Sequence, residues 1–295
     1  MKYWLSVALF FATSSVWACD ACSGTGGSSI SGQLLQNNES YIGLLNLYER
    51  HIYIDNESPL SKDYLSLYQV SIFGAYSFKD KWQVGTSIPY LSMHYKYDRR
   101  EPINSIGDMT LFVAYKLYQT SALKLKTGRH IVYLQQGLKL PSGSLGKKNM
   151  LNESSFSSGS IDFLQSIRYI FEKKDKGLNT ELNIQWNTRN KDQYRYGNRF
   201  NLTTYFYWKF PKDKVDIMPL GGLTIEYIAK DYSNKYIRNL SGGKSINSLF
   251  GLQVAIKDKY ILTLNQNIAI AQKYLNADGN NERKNRINFS TLIKF

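Results

Sequence analysis

The chain ends in the stretch Asn285-Arg286-Ile287-Asn288-Phe289-Ser290-Thr291-Leu292-Ile293-Lys294-Phe295, in which apolar and polar side chains alternate. One face carries Ile287, Phe289, Ile293 and Phe295, and the other carries Arg286, Asn288, Ser290 and Lys294. A period of two is the period of a β-strand whose two faces meet different surroundings. We therefore predict that the last segment is a strand with one apolar face and one polar face.

Similar segments recur along the chain, and we count about twelve of them from residue 40 onward. Their predicted spans are 40–54, 64–78, 82–97, 106–119, 124–140, 158–172, 178–189, 198–210, 216–231, 244–257, 259–274 and 285–295. Most exceed the roughly 9–11 residues that a tilted strand needs to cross a bilayer. An even number of such strands is typical of a bacterial single-chain barrel.

The connections between these segments alternate between short ones and longer, more polar ones. A soluble sandwich has no reason to sort its loops in this way, whereas outer-membrane barrels have short periplasmic turns and longer outer loops. The sequence thus predicts an all-β fold over residues 40–295, a transmembrane antiparallel up-and-down β-barrel of about twelve strands. Both termini would lie in the periplasm, and the barrel would lie in the outer membrane of a Gram-negative bacterium.

The first residues are predicted to direct export. Lys2 precedes an apolar run, and Val16-Trp17-Ala18 offers a cleavage site, so residues 1–18 are interpreted as a signal peptide. Residues 19–39, rich in Gly and Ser, are interpreted as a flexible periplasmic lead-in. The formal net charge is +14, but an exported chain rarely meets nucleic acid. We expect no nucleic-acid partner. The basic loops are interpreted either as ordinary solvated loops, or as sites that hold anionic lipopolysaccharide or attract anionic solutes.

Cys19 and Cys22 form a Cys-x-x-Cys motif in this lead-in. The pair could form a disulfide, or it could supply half of a soft-metal site. In a third interpretation, Cys19 is the lipidated first residue of a lipoprotein. A soft metal at Cys19 and Cys22 is the one cofactor that the sequence suggests.

The polar faces of the strands are rich in amides and hydroxyls, which suit a wet lumen. A basic side chain turned toward lipid at the midplane would cost about 2–4 kcal/mol, so charged strand residues are expected to face inward. The lumen-lining candidates are Asp108, Lys116, Lys139, Asp162, Arg168, Glu181, Asn183, Gln185, Glu226, Asn265 and Asn267. Two roles remain open for the charged ones: they pair with one another as structural ties, or they guide a solute.

Catalysis is not expected. The histidines are His51, His94 and His130, and none is followed by the close Ser or Asn that a barrel phospholipase would place beside its base. Without a nucleophile, a base and an orienting group, a catalytic triad has no support.

Several segments together resemble the outer-membrane channel family named for the meta-cleavage pathway of phenol degradation. They are Ser105–Leu111 continuing to Tyr118, Gly137–Gly143, Ser158–Leu164, Tyr194–Phe200 and Gly221–Tyr227. The resemblance implies a β-barrel with a transport role, and it implies no catalytic residue.

Our leading hypothesis is a porin-like outer-membrane channel for passive transport of a small solute. The alternative is a non-conducting barrel whose Cys-x-x-Cys segment binds a metal or a periplasmic partner. The expected partners are outer-membrane lipid, lipopolysaccharide, the small-molecule solute, and the barrel-assembly machinery through the C-terminal Phe295.

Overall fold

The computed structural model describes residues 39–55, 62–95, 102–120, 128–143, 156–239, 241–276 and 279–295. These ranges hold seventeen strands and no helix. The strands are β1 (Tyr41–Asp55), β2 (Lys62–Phe78), β3 (Trp82–Tyr95), β4 (Ile103–Ile106), β5 (Met109–Gln119), β6 (Arg129–Leu140), β7 (Asp162–Lys173), β8 (Lys176–Trp186), β9 (Tyr194–Arg195), β10 (Arg199–Trp208), β11 (Phe210–Lys212), β12 (Val215–Ile228), β13 (Tyr232–Ser233), β14 (Tyr236–Ile237), β15 (Gly243–Ile256), β16 (Tyr260–Asn276) and β17 (Gly279–Lys294). Among the described residues, a helix long and apolar enough to span a bilayer does not occur.

Within these ranges, the long strands close into a barrel. Each strand pairs antiparallel with its neighbours, β10 pairs with β12, and the last strand, β17, pairs with the first, β1. The short strands β4 and β5 both pair with β3 and form one wall strand that is interrupted at Gly107 and Asp108. The wall therefore has twelve strands, which confirms the predicted antiparallel β-barrel.

The two ends of the barrel differ in their connections. At the turn end, β2–β3, β7–β8 and β15–β16 are joined by two or three residues. Lys79 and Asp80 of the first of these turns have φ values of 52° and 54°, the left-handed conformation that a tight hairpin turn requires. The opposite end, which we call the loop end, carries the long connections 141–161, 187–198 and 229–242.

The outer face of the wall is apolar. Leu252, Leu264 and Phe289 lie side by side on β15, β16 and β17 and are exposed. Other exposed residues of this face are Ile42, Leu44, Val70, Ile72, Val84, Ile88, Leu111, Val113, Ile167, Leu202, Phe206, Leu223, Ile225, Phe250, Leu262, Ile268 and Ile293. An apolar surface that continues around a whole barrel is suited to hydrocarbon and not to water.

Aromatic side chains border this apolar face at the turn end. The rings of Phe78 and Trp82 stack with centroids 6.5 Å apart, and Trp82 contacts Tyr115 at 4.5 Å. Trp208 and Phe210 extend the aromatic border on β10 and β11. Such rings are favoured where lipid headgroups meet the hydrocarbon.

The structure corrects several predicted boundaries. β17 begins at Gly279 and not at residue 285, and β16 continues to Asn276, so residues 275–276 and 279–284 of the predicted long loop 275–284 belong to strands. The polar side chains of this segment show no alternation that would indicate a strand. The segment is a strand all the same, because a β-ladder is formed by backbone groups and tolerates polar side chains beyond the bilayer. β7 begins at Asp162 and not at residue 158, because the residues before Asp162 turn into the barrel.

We predict that Leu264→Arg lowers the free energy of unfolding in lipid vesicles by about 2–4 kcal/mol, because it puts a cation on the apolar outer face. Leu264 is 51% exposed. Tyr236→Arg on β14 of the loop end is the matched control and should have little effect. Denaturant titration in vesicles measures both variants, and equal stabilities would contradict the assignment of this face to lipid.

Candidate functional site

Lys139 lies at the centre of a buried cluster on the inner face of β5, β6 and β7. Its Nζ is 2.5 Å from Asp162 Oδ2 and 3.6 Å from Asp108 Oδ2, and all three side chains are buried. Ser158 donates to Asp108 Oδ2 from its backbone N–H at 2.8 Å and from its hydroxyl at 3.0 Å. The hydroxyl of Ser160 donates to Asp162 Oδ1 at 2.9 Å. These five residues form what we call the Lys139 cluster.

The Lys139 cluster explains why β4 and β5 are separate strands. Gly107 donates its backbone N–H to the carbonyl of Pro89 at 2.8 Å, and Asp108 then turns its side chain inward. A Cβ on Gly107 would lie 2.7 Å from Leu91 Cδ1 and 3.0 Å from Pro89 Cγ, so a larger residue would require Leu91 to shift, and glycine suits this close approach. The interruption thus places a carboxylate beside Lys139.

Residues 156–160, which we call the inner strap, lie inside the barrel. Phe156 is buried against Leu65, Leu67, Leu91 and Met93, the inward-facing residues of β2 and β3. The other end of the strap is held by the Lys139 cluster, and Asn190 donates to the carbonyl of Ser158 at 3.3 Å. The strap therefore narrows the lumen in the half of the barrel nearer to the loop end.

A second set of charged residues joins neighbouring strands of the wall opposite the Lys139 cluster. Arg286 on β17 donates through Nε to Glu49 on β1 at 3.0 Å, and Arg283 donates through Nη1 to Glu226 on β12 at 2.6 Å. Arg283 Nε also lies 3.4 Å from Glu49 Oε1, and Arg199 Nη1 on β10 lies 3.5 Å from Glu226 Oε1. We call these five residues the Arg–Glu network. Because it joins four strands, it fixes the charged groups on a rigid wall.

Neighbouring side chains make further contacts with the carboxylates of Glu49 and Glu226. The Tyr274 hydroxyl donates to Glu226 Oε2 at 2.8 Å. His51 Nε2 lies 3.3 Å from Glu49 Oε1. A buried carboxylate that is surrounded by cations and donors costs much less than an unpaired one.

A polar cavity lies beside the Arg–Glu network. About 370 Å³ of space there is free of protein atoms, a value that includes the open mouth of the cavity. The lining residues are Glu49, Asn201, Thr224, Glu226, Asn247, Asn267, Arg283, Lys284, Asn285 and Arg286. All ten are polar or charged, so this part of the lumen is suited to water and to polar solutes.

A third group of charged residues is the pair of Arg168 on β7 and Glu181 on β8. Arg168 Nε donates to Glu181 Oε2 at 3.1 Å, and the Ser166 hydroxyl donates to Glu181 Oε1 at the same distance. Both side chains face inward. This pair is a structural tie between two neighbouring strands.

The connections at the loop end form a small sheet of β9, β13 and β14. Asp231 holds it together, because its carboxylate accepts from the Tyr194 hydroxyl at 2.7 Å and from the backbone N–H of Gly197 at 2.6 Å. The Arg195 guanidinium lies 4.0 Å above the Tyr232 ring. Burial lowers the pKa of Arg195 to about 9, so the group keeps its charge at neutral pH.

The inner face is not polar along its whole length. Near the turn end, inward-facing residues form three apolar clusters. The first contains Tyr41, Phe73, Ala75, Ala255, Ile261 and Leu292, the second contains Tyr205, Tyr207, Met218, Leu220 and Leu249, and the third contains Ile131, Tyr133 and Ile170. Inward side chains of neighbouring strands pack against one another there, so burial of apolar surface stabilises this part of the wall.

The structure places the predicted lumen candidates on the inner wall, but in different surroundings. Eight of them are buried, namely Asp108, Lys139, Asp162, Glu181, Asn183, Gln185, Glu226 and Asn265. Three are half-buried, namely Lys116, Arg168 and Asn267. Glu226 and Asn267 line the polar cavity. Lys116 is paired in register with Tyr133 near the turn end. Whether these residues contact a solute remains a prediction.

The candidates from the sequence did not include four residues of the Arg–Glu network, which are Glu49, Arg199, Arg283 and Arg286. The alternation in the last strand puts Arg286 on the polar face, and that signal could have identified it. Arg283 lay in the segment interpreted as a loop. Their pairing brings together residues as far apart as Glu49 and Arg286, which are separated by 237 positions in the chain.

The structure adds one contact that bears on catalysis. The Ser92 hydroxyl lies 3.0 Å from His94 Nε2 on the outer face of β3, because residues two apart in a strand share a face. In the described part of the chain, the other contact of this ring is the Tyr68 ring at 5.4 Å, which cannot orient a ring nitrogen as a triad residue does. Within the same ranges, no group of three or more His, Cys, Asp or Glu side chains could hold a metal ion.

The predictions for residues 1–38, which include the signal peptide, most of the lead-in and the pair Cys19 and Cys22, lie outside the described residues. They remain predictions.

We predict that Lys139→Met lowers the free energy of unfolding by about 3–5 kcal/mol, because it leaves two buried carboxylates without their cation. Lys173→Met, at the exposed end of β7, is the control. The triple variant Asp108→Asn, Lys139→Met, Asp162→Asn should recover much of the loss. Denaturant titration in detergent or lipid measures all three, and a loss equal to that of the control would contradict the role of Lys139.

The fold is similar to folds of known outer-membrane proteins. No family model and no curated protein matches this chain. Among solved structures, an outer-membrane channel from Pseudomonas putida F1 is 12% identical, with a TM-score of 0.65 over 94% of this chain and all of that chain. The β domain of the Bordetella autotransporter BrkA is 11% identical, with a TM-score of 0.50 over 87% of this chain and all of that one. The fold is therefore the fold of outer-membrane β-barrels.

Proposed function

We propose that this protein is an outer-membrane channel of a Gram-negative bacterium, through which a small solute diffuses passively. The observation that carries the proposal is the combination of an apolar outer face with a charged, partly open cavity inside a closed barrel. A soluble barrel would bury apolar side chains inside and expose polar ones. Selection would depend on the width of the lumen and on the polarity of its lining.

The orientation follows from the connections. Outer-membrane barrels keep short turns in the periplasm and long loops outside, so we assign the turn end to the periplasm. The inner strap and the polar cavity would then lie on the outer side, where an entering solute meets them first. The apolar clusters near the turn end would form the last part of the path.

The remaining partners are proposed on physical grounds. The apolar belt requires lipid, and the basic groups of the loop end suit the phosphates of lipopolysaccharide. Phe295 is exposed at the turn end, where a C-terminal aromatic residue is accessible to the barrel-assembly machinery.

A non-conducting barrel with a metal-binding Cys19/Cys22 segment is the alternative function. We predict that the purified protein forms open channels in planar bilayers and that a variant lacking residues 19–38 conducts equally well, because the barrel itself is the pore. Single-channel recording measures both. Steady closed traces of the full protein at all voltages would contradict the channel, and conductance that disappears with the deletion would assign the pore to the lead-in.

The Ser92–His94 pair is the observation that could favour an enzyme. We expect the purified protein to release no fatty acid from phospholipid vesicles, because the described residues give the imidazole no orienting partner. Titration of free fatty acid measures this. Release by the wild-type protein that disappears in Ser92→Ala, but persists in the neighbouring outward variant Tyr90→Phe, would show a barrel hydrolase instead.

A further inference from the structure

The polar cavity presents positive charge to its contents, although the Arg–Glu network contains both signs. The side chains of Arg286 and Arg283 are 16% and 13% exposed, whereas those of their partners Glu49 and Glu226 are 3% and 8% exposed. Lys284, also on the lining, is 47% exposed, but it pairs with Glu282 at 2.6 Å, so the positive charge comes mainly from the two arginines. The carboxylates therefore lie behind the guanidinium groups, and a solute in the cavity meets the cations first.

The neutral lining residues add groups that both donate and accept hydrogen bonds. Beside the charged groups, the lining contains four carboxamides and one hydroxyl. They belong to Asn201, Asn247, Asn267 and Asn285, and to Thr224. An amide offers two donors and an acceptor, and a hydroxyl offers one donor and accepts as well. Such a set matches a solute that carries hydroxyl groups, since each solute hydroxyl also needs both kinds of partner.

The cavity borders an apolar part of the wall that the chain itself covers. In register, Asn267, Arg286 and Glu49 lie side by side on β16, β17 and β1. The next residue in this row is Leu67 on β2, which is covered by Phe156 of the inner strap. The apolar part of the row is thus occupied by the chain itself, and the polar part is what remains for a solute.

We propose that this cavity is a binding subsite for a small organic carboxylate that also carries hydroxyl groups, and that it makes the lumen prefer anions. The inference rests on the proposed channel function and specifies its solute class. A guanidinium group has five N–H donors, so it can contact a solute carboxylate in addition to its glutamate partner. Focused positive potential in a narrow, low-dielectric passage raises the local concentration of anions.

The first test is the reversal potential of the wild-type channel in a KCl gradient. We expect chloride to be preferred over potassium by about twofold or more. In the double variant Arg283→Gln, Arg286→Gln the preference should invert, because Glu49 and Glu226 lose the cations that cover them. The matched double variant Glu49→Gln, Glu226→Gln should keep or increase the preference for chloride.

The second test uses gluconate, glucose and hexanoate at equal concentration. Gluconate should reduce the single-channel current most, because it has both the carboxylate and the hydroxyl groups. Glucose lacks the carboxylate and hexanoate lacks the hydroxyl groups. In the double variant Arg283→Lys, Arg286→Lys the chloride preference should remain while the block by gluconate weakens, since an ammonium group lacks the paired donors of guanidinium.

The outcomes separate this inference from the channel proposal. A wild-type protein that does not conduct refutes the channel and the inference with it. A wild-type channel that conducts without preference for chloride, or that gluconate and glucose block equally, overturns the inference alone. Both readouts are made on the wild-type protein, so they hold even where a variant fails to fold.

Discussion

The structure depends on the pairing of the first strand with the last. In hydrocarbon, each unpaired backbone N–H or carbonyl costs several kcal/mol, and an open sheet would have two unpaired edges. The register of β1 with β17, from Tyr41 and Lys294 to Asp55 and Gly279, removes these edges. At the turn end, the N–H of Phe295 donates to the carbonyl of Ser40 at 3.0 Å and extends the closure to the last residue.

Closure has a second consequence, because it encloses every inward side chain in a narrow space. Charged groups there are stable when they are paired, and the described part of the interior accordingly holds Lys139 between two aspartates, Arg168 with Glu181, and the Arg–Glu network. The first of these holds the inner strap in place, and the last borders open space. The charged groups of the Lys139 cluster thus stabilise the structure at one wall, and those of the Arg–Glu network are available to a solute at the other.

The strands were predictable because lipid on one side and a wet or packed interior on the other impose a period of two on the sequence. β8 is an example: its alternating Asn, Glu and Gln residues face inward as expected. The inner strap was not predictable, because Ser158 and Ser160 continue the pattern of a strand although they turn inside. The start of β17 was not predictable either, since residues 280–284 are all polar and show no alternation.

The sequence by itself determined the class of fold, the number of strands and the side of each strand that faces lipid, because these follow from local periodicity together with the alternation of short and long connections and the export signal. Only the tertiary structure decided which charges meet. Glu49 and Arg286 are brought together by closure of the barrel, and Asp108 reaches Lys139 through a break in a strand. Such contacts depend on register and on distances across the lumen, and neither quantity is encoded within a single strand.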